Sequence, residues 1–456
     1  MKRLTHVPRL ALVLAVLFSA NLALAQGLGV ENNSHRYTLS DCVQIALERS
    51  PRIQAAEDGI RKAESEVGMA RAGFFPRLTA FGSAKSLDAI RSSGNSNSDY
   101  DDQFTLSHGL QLTQSLFAGL TIFNNYQRAV LALEFAWAQK DETVARLTLE
   151  VQSIFLERLQ AIEQAEVHKA HLRSLETNGK ALEAMFAQNL VPFSAVLDVN
   201  AEIADARQKL SEAENAVSVR TIELQGLMHV PFESNDAFEK TVLVNAYEPV
   251  MPIDEVRRHA LDNNPSIRLA KLGIQIIRKD KDAALGAFAP RVNLTLSYNN
   301  IDVDYDKQEQ TFAGGYDRDY ETGYAVGMLS FEWDLFQGGK DYYQVQRAKH
   351  EINRLLNNLN DLESTTHTDI EKSYTLLQEA RSRAGHADAF LKSAREKLAM
   401  AQARLDKSMG TLPEFMLARS TVQDAQASVI SAQIDFQLAM ANLNYYMGRQ
   451  SLPLIQ

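Results

Sequence analysis

Ala46-Leu47-Glu48-Arg49-Ser50-Pro51 leads into Phe74-Phe75-Pro76-Arg77, and 214 residues later Ala260-Leu261-Asp262-Asn263-Asn264-Pro265 leads into Phe288-Ala289-Pro290-Arg291. The spacing between the paired segments is the same in both places, so a helix of one length is expected to join them. Ser115-Leu116-Phe117-Ala118-Gly119 is answered in the same way by Asp334-Leu335-Phe336-Gln337-Gly338. Order, spacing and punctuation that recur across half a chain are the signature of an internal duplication, and they fix the architecture as two copies of one unit.

Most of the chain reads as long helix. Apolar positions step by three and four through Phe123, Tyr126, Val130, Leu133, Trp137, Val144, Leu147, Val151 and Ile154, broken at Lys140. They continue through Ala161, Ala165, Leu172, Leu175, Leu182 and Phe186. A seven-residue period held this long predicts a coiled-coil seam. No proline falls between Gly119 and Pro192, so one helix of ~105 Å is allowed at 1.5 Å per residue. The seam resumes after Pro192 through Val196, Val199, Ile203, Ala206, Leu210, Ala213 and Val217. The second half repeats the plan: Leu377, Leu391, Leu398 and Leu405 form one row and Ala380, Ala387, Ala394 and Ala401 another. Pro413 then breaks the helix before the return helix of Phe415 to Leu443.

Four segments have the period of a strand. Phe104, Leu106, Leu110 and Leu112 alternate with Thr105, Ser107, Gly109, Gln111 and Thr113. Val292, Leu294, Leu296 and Tyr298 alternate with polar residues, as do Leu329, Phe331, Trp333 and Leu335; a weaker run follows Arg77. The strands are expected at about 77–86, 104–116, 291–302 and 322–336, each pair joined by a polar loop. Four strands with an apolar outer face cannot close a membrane barrel, whose smallest form has about eight. Open edges are not tolerated in lipid, so the missing strands must come from other copies in a cyclic assembly. The sequence alone leaves two, three or four copies open.

The N-terminus carries Lys2, Arg3 and Arg9, an apolar run from Leu10 to Leu24, and Ala23-Leu24-Ala25 before Gln26. These are the parts of a signal peptide at 1–25, and the run is shorter than the ~20 residues of a spanning helix. Cleavage takes three positive charges from a net −10 and leaves an acidic chain, which argues against nucleic acid as a partner. Cys42 is the only cysteine; it lies well inside the mature chain, so neither an intrachain disulfide nor N-terminal lipidation is expected.

The paired A-L-x-x-x-P and F-x-P-R segments, the two L-F-x-G turns and the two interrupted hairpins resemble the TolC-type outer-membrane efflux and secretion channels. The resemblance covers Tyr37 to Gly448. It implies a homotrimer with a shared twelve-stranded transmembrane β-barrel in the outer membrane and a long helical tunnel in the periplasm. It also implies two partners, a periplasmic adaptor (membrane fusion) protein and an inner-membrane pump or ABC transporter. The implied domains are repeat 1 at 26–230, an equatorial segment at 231–252, repeat 2 at 253–447 and a tail at 448–456.

In that family the hairpin tips meet the adaptor and close the tunnel. The matching residues are Asn189, Leu190, Val191, Pro192 and Phe193 in repeat 1, and Gly410, Thr411, Leu412 and Pro413 in repeat 2. Glycine is usual at both tip starts; Asn189 stands at one here, and asparagine also tolerates the left-handed conformation. The usual V-L-D-A stretch appears as Val196-Leu197-Asp198-Val199. Beyond the second tip some relatives carry two aspartates, where this chain has Met416 and Arg419 with Glu414 the nearest acid. The expected constriction is therefore Glu414, Met416 and Arg419, closed by ion pairs between copies.

No catalytic motif is present: there is no phosphate-binding glycine loop and no G-x-S-x-G elbow. His168 and His171 have helical spacing but no third ligand nearby, so a structural role is expected and no metal. Asp302, Asp304 and Asp306 begin like a calcium loop, but Lys307 and Ala313 replace its glycine and glutamate. No cofactor is expected and no enzyme. The competing class is a soluble periplasmic coiled-coil scaffold, which would have no need of four amphipathic strands.

Overall fold

A computed structural model describes residues 37–87, 103–230, 251–305, 320–407 and 409–449. The expected signal peptide, the outer loops with Asp306, most of the equatorial segment and the end of the tail lie outside the described residues.

Each unit begins with two short helices joined at a proline. In repeat 1 these are α1 (Leu39–Arg49) and α2 (Pro51–Ala72). Ser50 is at once the C-cap of α1 and the N-cap of α2, with φ −65° and ψ 123°. A residue before proline is pushed into this extended region, which frees its hydroxyl to accept from the Arg52 backbone N–H at 3.2 Å. Pro51 takes the first helical position, where no N–H is needed. A capping box at Thr38 and Asp41 starts α1. The second unit repeats the joint: α5 (Ile253–Asn263) hands over at Asn264 to α6 (Pro265–Leu285). Asn264 Oδ1 there accepts from the backbone N–H groups of Ser266 and Ile267. A short 3-10 turn, Gly286–Phe288, follows α6.

The strands are β1 (Arg77–Leu87), β2 (Gln103–Ala118), β3 (Arg291–Tyr305) and β4 (Tyr320–Glu332). They form one antiparallel sheet in the order β1-β2-β3-β4. All four are at least 11 residues long, long enough for a tilted membrane strand of about 9–11 residues. Leu78, Leu112 and Leu296 share one cross-strand row, and Ala80, Leu110, Tyr298 and Ala325 the next. Leu110 is 50% and Tyr298 56% exposed, although both are large and apolar-faced. A bulge at Leu116 then brings Phe117 opposite Val292, on the same face as these rows.

Two expectations need correction here. β4 ends at Glu332 rather than near 336, because its partner β3 begins only at Arg291 and offers no backbone beyond it. Its second face is also less polar than alternation suggests, since Tyr324, Val326 and Met328 sit opposite Asn299, Ser297 and Thr295.

Long hairpins complete each unit: α3 (Thr121–Ala187) with α4 (Phe193–Met228), and α7 (Lys340–Asp406) with α8 (Leu412–Tyr446). α3 and α7 have the same length, 67 residues, or about 100 Å. The strand-to-helix switches are pairs of left-handed residues, Gly119 and Leu120 at φ 60° and 64°, and Gly338 and Gly339 at 63° and 83°.

The core is likewise doubled. Cys42, Ala46, Val151, Phe155, Leu224 and Met228 join α1 to the first hairpin. Val256, Ala260, Ile370, Leu377, Phe436 and Met440 join α5 to the second. Each of the larger side chains, the valines, isoleucine, leucines, phenylalanines and methionines, contributes roughly 1.5–3 kcal/mol by leaving water. A polar pair in repeat 1 has apolar equivalents in repeat 2: buried Arg158 donates from Nε to Thr221 Oγ1 at 2.9 Å, where repeat 2 has Leu377 and Met440.

The seam expected along α3 does not run unbroken. Phe123 and Trp137 are 45% and 47% exposed, because α3 serves several neighbours in turn. It packs on α2 and α6 near the sheet and on α4 and α8 farther on, so its buried face rotates along its length. Lys140, the break in the pattern, instead ion-pairs with Glu57 on α2 at 2.8 Å.

Candidate functional site at the hairpin tips

The first tip closes α3 with paired bonds. The Asn189 N–H donates to Phe186 O at 2.8 Å and the Leu190 N–H to Met185 O at 2.9 Å. This is a Schellman ending with Asn189 in the left-handed region at φ 59°. Pro192 then stands before α4 with φ −73°, an extended cap that cannot continue the helix. Apolar side chains crowd this end: Leu190 is 67% and Phe193 54% exposed, and the Phe186 and Phe193 rings lie 5.3 Å apart. Val191 is half-buried between them in sequence. A cluster of exposed apolar groups on a fixed turn is the physical form of a protein-docking surface.

The second tip reaches a similar turn by another route. The Met409 and Gly410 N–H groups both donate to Arg404 O, at 2.8 and 3.1 Å. Gly410 has no positive φ, so it does not serve as the left-handed residue of this turn. What favours glycine is close approach: a Cβ there would lie 3.1 Å from Arg404 Cβ. The helices of the two units lie 219 residues apart, Phe193 starting one return helix and Leu412 the other. Gly410 therefore matches Val191, and Pro413 matches Ser194 rather than Pro192. Thr411 caps α8, its Oγ1 accepting from the Glu414 N–H at 3.4 Å, and Pro413 sits inside the first turn.

The expected constriction residues sit together on the first turns of α8. Glu414 ion-pairs with Arg404 of α7 within the chain, at 2.9 Å. Met416 and Arg419 are half-buried, and Leu417 between them is 64% exposed. Arg419 has no ion-pair partner among the described residues. Sequence reasoning missed Arg404, whose position six residues before Gly410 gives no signal until the turn folds back on it.

The histidines lie elsewhere. His168 is on α3 beside α4 and α8, where burial, Lys209 and His171 lower its pKa. No group of three metal-ligating side chains occurs among the described residues.

Comparison with known proteins follows the fold. The family model for "Outer membrane efflux protein" matches residues 42–228 and 256–449, which are the two units. The alkaline protease secretion protein AprF of Pseudomonas aeruginosa is 23% identical over 424 residues, covering 90% of this chain and 84% of its own. Outer membrane protein TolC of Salmonella enteritidis is 22% identical, with 92% and 84% covered. Among solved structures, the open-state MtrE outer membrane channel of Neisseria gonorrhoeae superposes with a TM-score of 0.73 at 17% identity, covering 90% of this chain and 89% of that one. The chain is thus a member of the outer membrane efflux protein family.

Proposed function

We propose that this protein is the outer-membrane channel-tunnel of a tripartite efflux pump or type I secretion system, a passive gated exit duct with no catalytic step. The observation that carries this is the sheet: four long antiparallel strands with an apolar exposed face and two open edges, continuous with hairpins about 100 Å long. An open-edged sheet is stable in lipid only when copies of the chain complete it. A homotrimer with twelve strands in the outer membrane and helices in the periplasm fits that requirement, as the family resemblance implies.

The tips around Leu190, Phe193 and Met409 would meet the periplasmic adaptor, and the turn holding Glu414, Met416 and Arg419 would narrow the duct. The inner-membrane partner would supply the energy. AprF aligns along nearly the whole chain, and the secretion of alkaline protease named for it favours a protein cargo. The early cysteine-free segment of the mature chain favours an unlipidated form.

The test is fractionation of the full-length protein expressed in a Gram-negative host, native mass spectrometry of the detergent-extracted species, and conductance in planar bilayers. A trimer from the outer membrane that conducts supports the proposal. A soluble monomer or dimer would leave a coiled-coil scaffold as the better account.

A further inference from the structure

The face of the sheet that turns away from Leu110 and Tyr298 is polar on β2, but large apolar residues interrupt it on β1 and β4. Residues paired across strands share a face, so Phe81, Gly109, Asn299 and Tyr324 form one row of it. The next rows bring Val326 level with Ser297 and Met328 level with Thr295. Tyr324, Val326 and Met328 are 42%, 42% and 51% exposed. We propose that Phe81, Tyr324, Val326 and Met328 form a track on the inner wall of the duct that binds aromatic and apolar side chains of an extended polypeptide in transit. The inference rests on the function proposed above and names the cargo chemistry that this wall would recognise.

The inward placing of these residues is built into the packing. Along the same stretch, the other face of β4 carries only Gly323, Ala325 and Gly327, opposite Asn300, Tyr298 and Leu296. A Cβ at Gly323 would lie 2.9 Å from the Tyr298 hydroxyl, and one at Gly327 would lie 3.4 Å from Leu296 Cδ2. Tyr298 and Leu296 thus reach across from β3 and cover the small residues of β4. That face stays apolar without large side chains on β4, and a slip of register that turned Tyr324 and Val326 outward would collide with this cover. Phe81 is held as closely. A Cβ at Gly109 would meet Phe81 Cζ at 2.8 Å, so the ring leans on the wall over the missing side chain.

The polar groups around the track are engaged with one another. The Ser83 and Ser107 hydroxyls are 2.7 Å apart. Gln111 Nε2 donates to Thr113 Oγ1 at 3.2 Å, and Asn299 Nδ2 donates to Ser297 Oγ at 3.2 Å. Neither of the rows holding Tyr324 and Val326 carries a charge. In the assembly proposed above lipid meets only the opposite face, so water and cargo are what reach this one. An unfolded polypeptide in transit exposes aromatic and apolar side chains to water, and contact with Phe81 and Tyr324 relieves that exposure a residue at a time. Such contacts are weak and repeated, which suits a surface that a chain must also leave.

The test is single-channel recording of the full-length protein in planar bilayers. Two soluble glycine-serine peptides are compared, identical except that one carries phenylalanine at regular positions. The phenylalanine peptide is expected to block the current for about ten times as long per event. Combining Phe81→Ser, Tyr324→Ser and Val326→Thr should bring the two peptides within about twofold of each other. Equal blocking by both peptides in a conducting wild type would overturn the track and leave the duct standing. A preference that survives the substitutions would also overturn it, by placing the binding elsewhere. If native mass shows that the combined variant does not assemble, Tyr324→Ser and Val326→Thr are read singly in the same way. Failure of these to assemble as well would assign the residues to contacts between copies and refute the track. A wild type that forms no channel would remove the function on which the inference rests, and the track with it.

Discussion

Gly286→Ala should weaken the fold, although alanine is the better helix former. Gly286 ends α6 with an ordinary helical φ of −61°, so no backbone penalty attaches to the change. The obstacle is steric: the new Cβ would stand 2.3 Å from Thr121 Oγ1 and 2.5 Å from the Gly119 carbonyl oxygen. Ordinary contact begins at 3.4 Å, so the β2–α3 turn must retreat by about an ångström, and overpacking of this kind costs about 1–3 kcal/mol. Gly273, earlier in the same helix, has nothing within 4 Å of its would-be Cβ. Gly273→Ala should therefore stabilise by about 0.5–1 kcal/mol through propensity alone. The two variants are compared by thermal unfolding in detergent, followed by helical circular dichroism at one scan rate. The average unfolding entropy per residue makes 1 kcal/mol about 1 °C for a chain of this length, so the midpoints should move in opposite directions, by about 1–3 °C down and up to about 1 °C up. A Gly286→Ala midpoint at or above wild type would refute the close packing of the two units at this turn.

Leucine in the left-handed region is strained by about 1–2 kcal/mol, and the second unit has Gly339 where the first has Leu120. Leu120→Gly is expected to stabilise by about 1 kcal/mol and Gly339→Leu to destabilise by a similar amount, read from the same melts. Thr221→Met alone leaves the buried Arg158 short of an acceptor and should cost about 1–3 kcal/mol; adding Arg158→Leu, which copies repeat 2, should recover part of that loss. Burial, followed by the charge of Asp41, raises the Cys42 thiol from 9.0 to about 12. Between those values the unfolded chain loses its thiol proton while the folded chain keeps it, so stability should fall as pH rises above about 9, and Cys42→Val should flatten that slope. Maleimide should label Cys42 only after unfolding. Glu414→Ala and Arg419→Ala should each raise single-channel conductance in planar bilayers, and wild-type conductance in both would remove them from the constriction.

Much of this architecture was legible because it depends on short-range chemistry. The equal spacing from Pro51 to Phe74 and from Pro265 to Phe288 announces one helix length in both units, and Phe104 to Thr113 alternate cleanly because one face meets apolar surroundings. The duplication supplied the long-range part, since a fold stated twice in one chain tells where its halves correspond. What stayed hidden depends on neighbours. Phe123 and Trp137 keep a helical period yet are exposed, because periodicity does not say which of several partners a helix turns toward. Gly410 suggested a left-handed turn residue, but glycine serves there as a space-saver against Arg404. The end of β4 was set by where β3 begins, which no local pattern in β4 records. Arg404 and Glu414 meet only through the turn between them.

The matched 67-residue helices carry a consequence for how such a chain can change. A single residue inserted in α3 alone would lift its tip by about 1.5 Å and turn everything beyond it by about 100°, swinging Leu190 and Phe193 to another side of the hairpin. The same insertion in α7 would be needed to bring the two tips level again. Length is thus a coupled variable here: the hairpins can be lengthened or shortened only in step, and by amounts near whole turns, like the two legs of a ladder that must stay equal for the rungs to remain level.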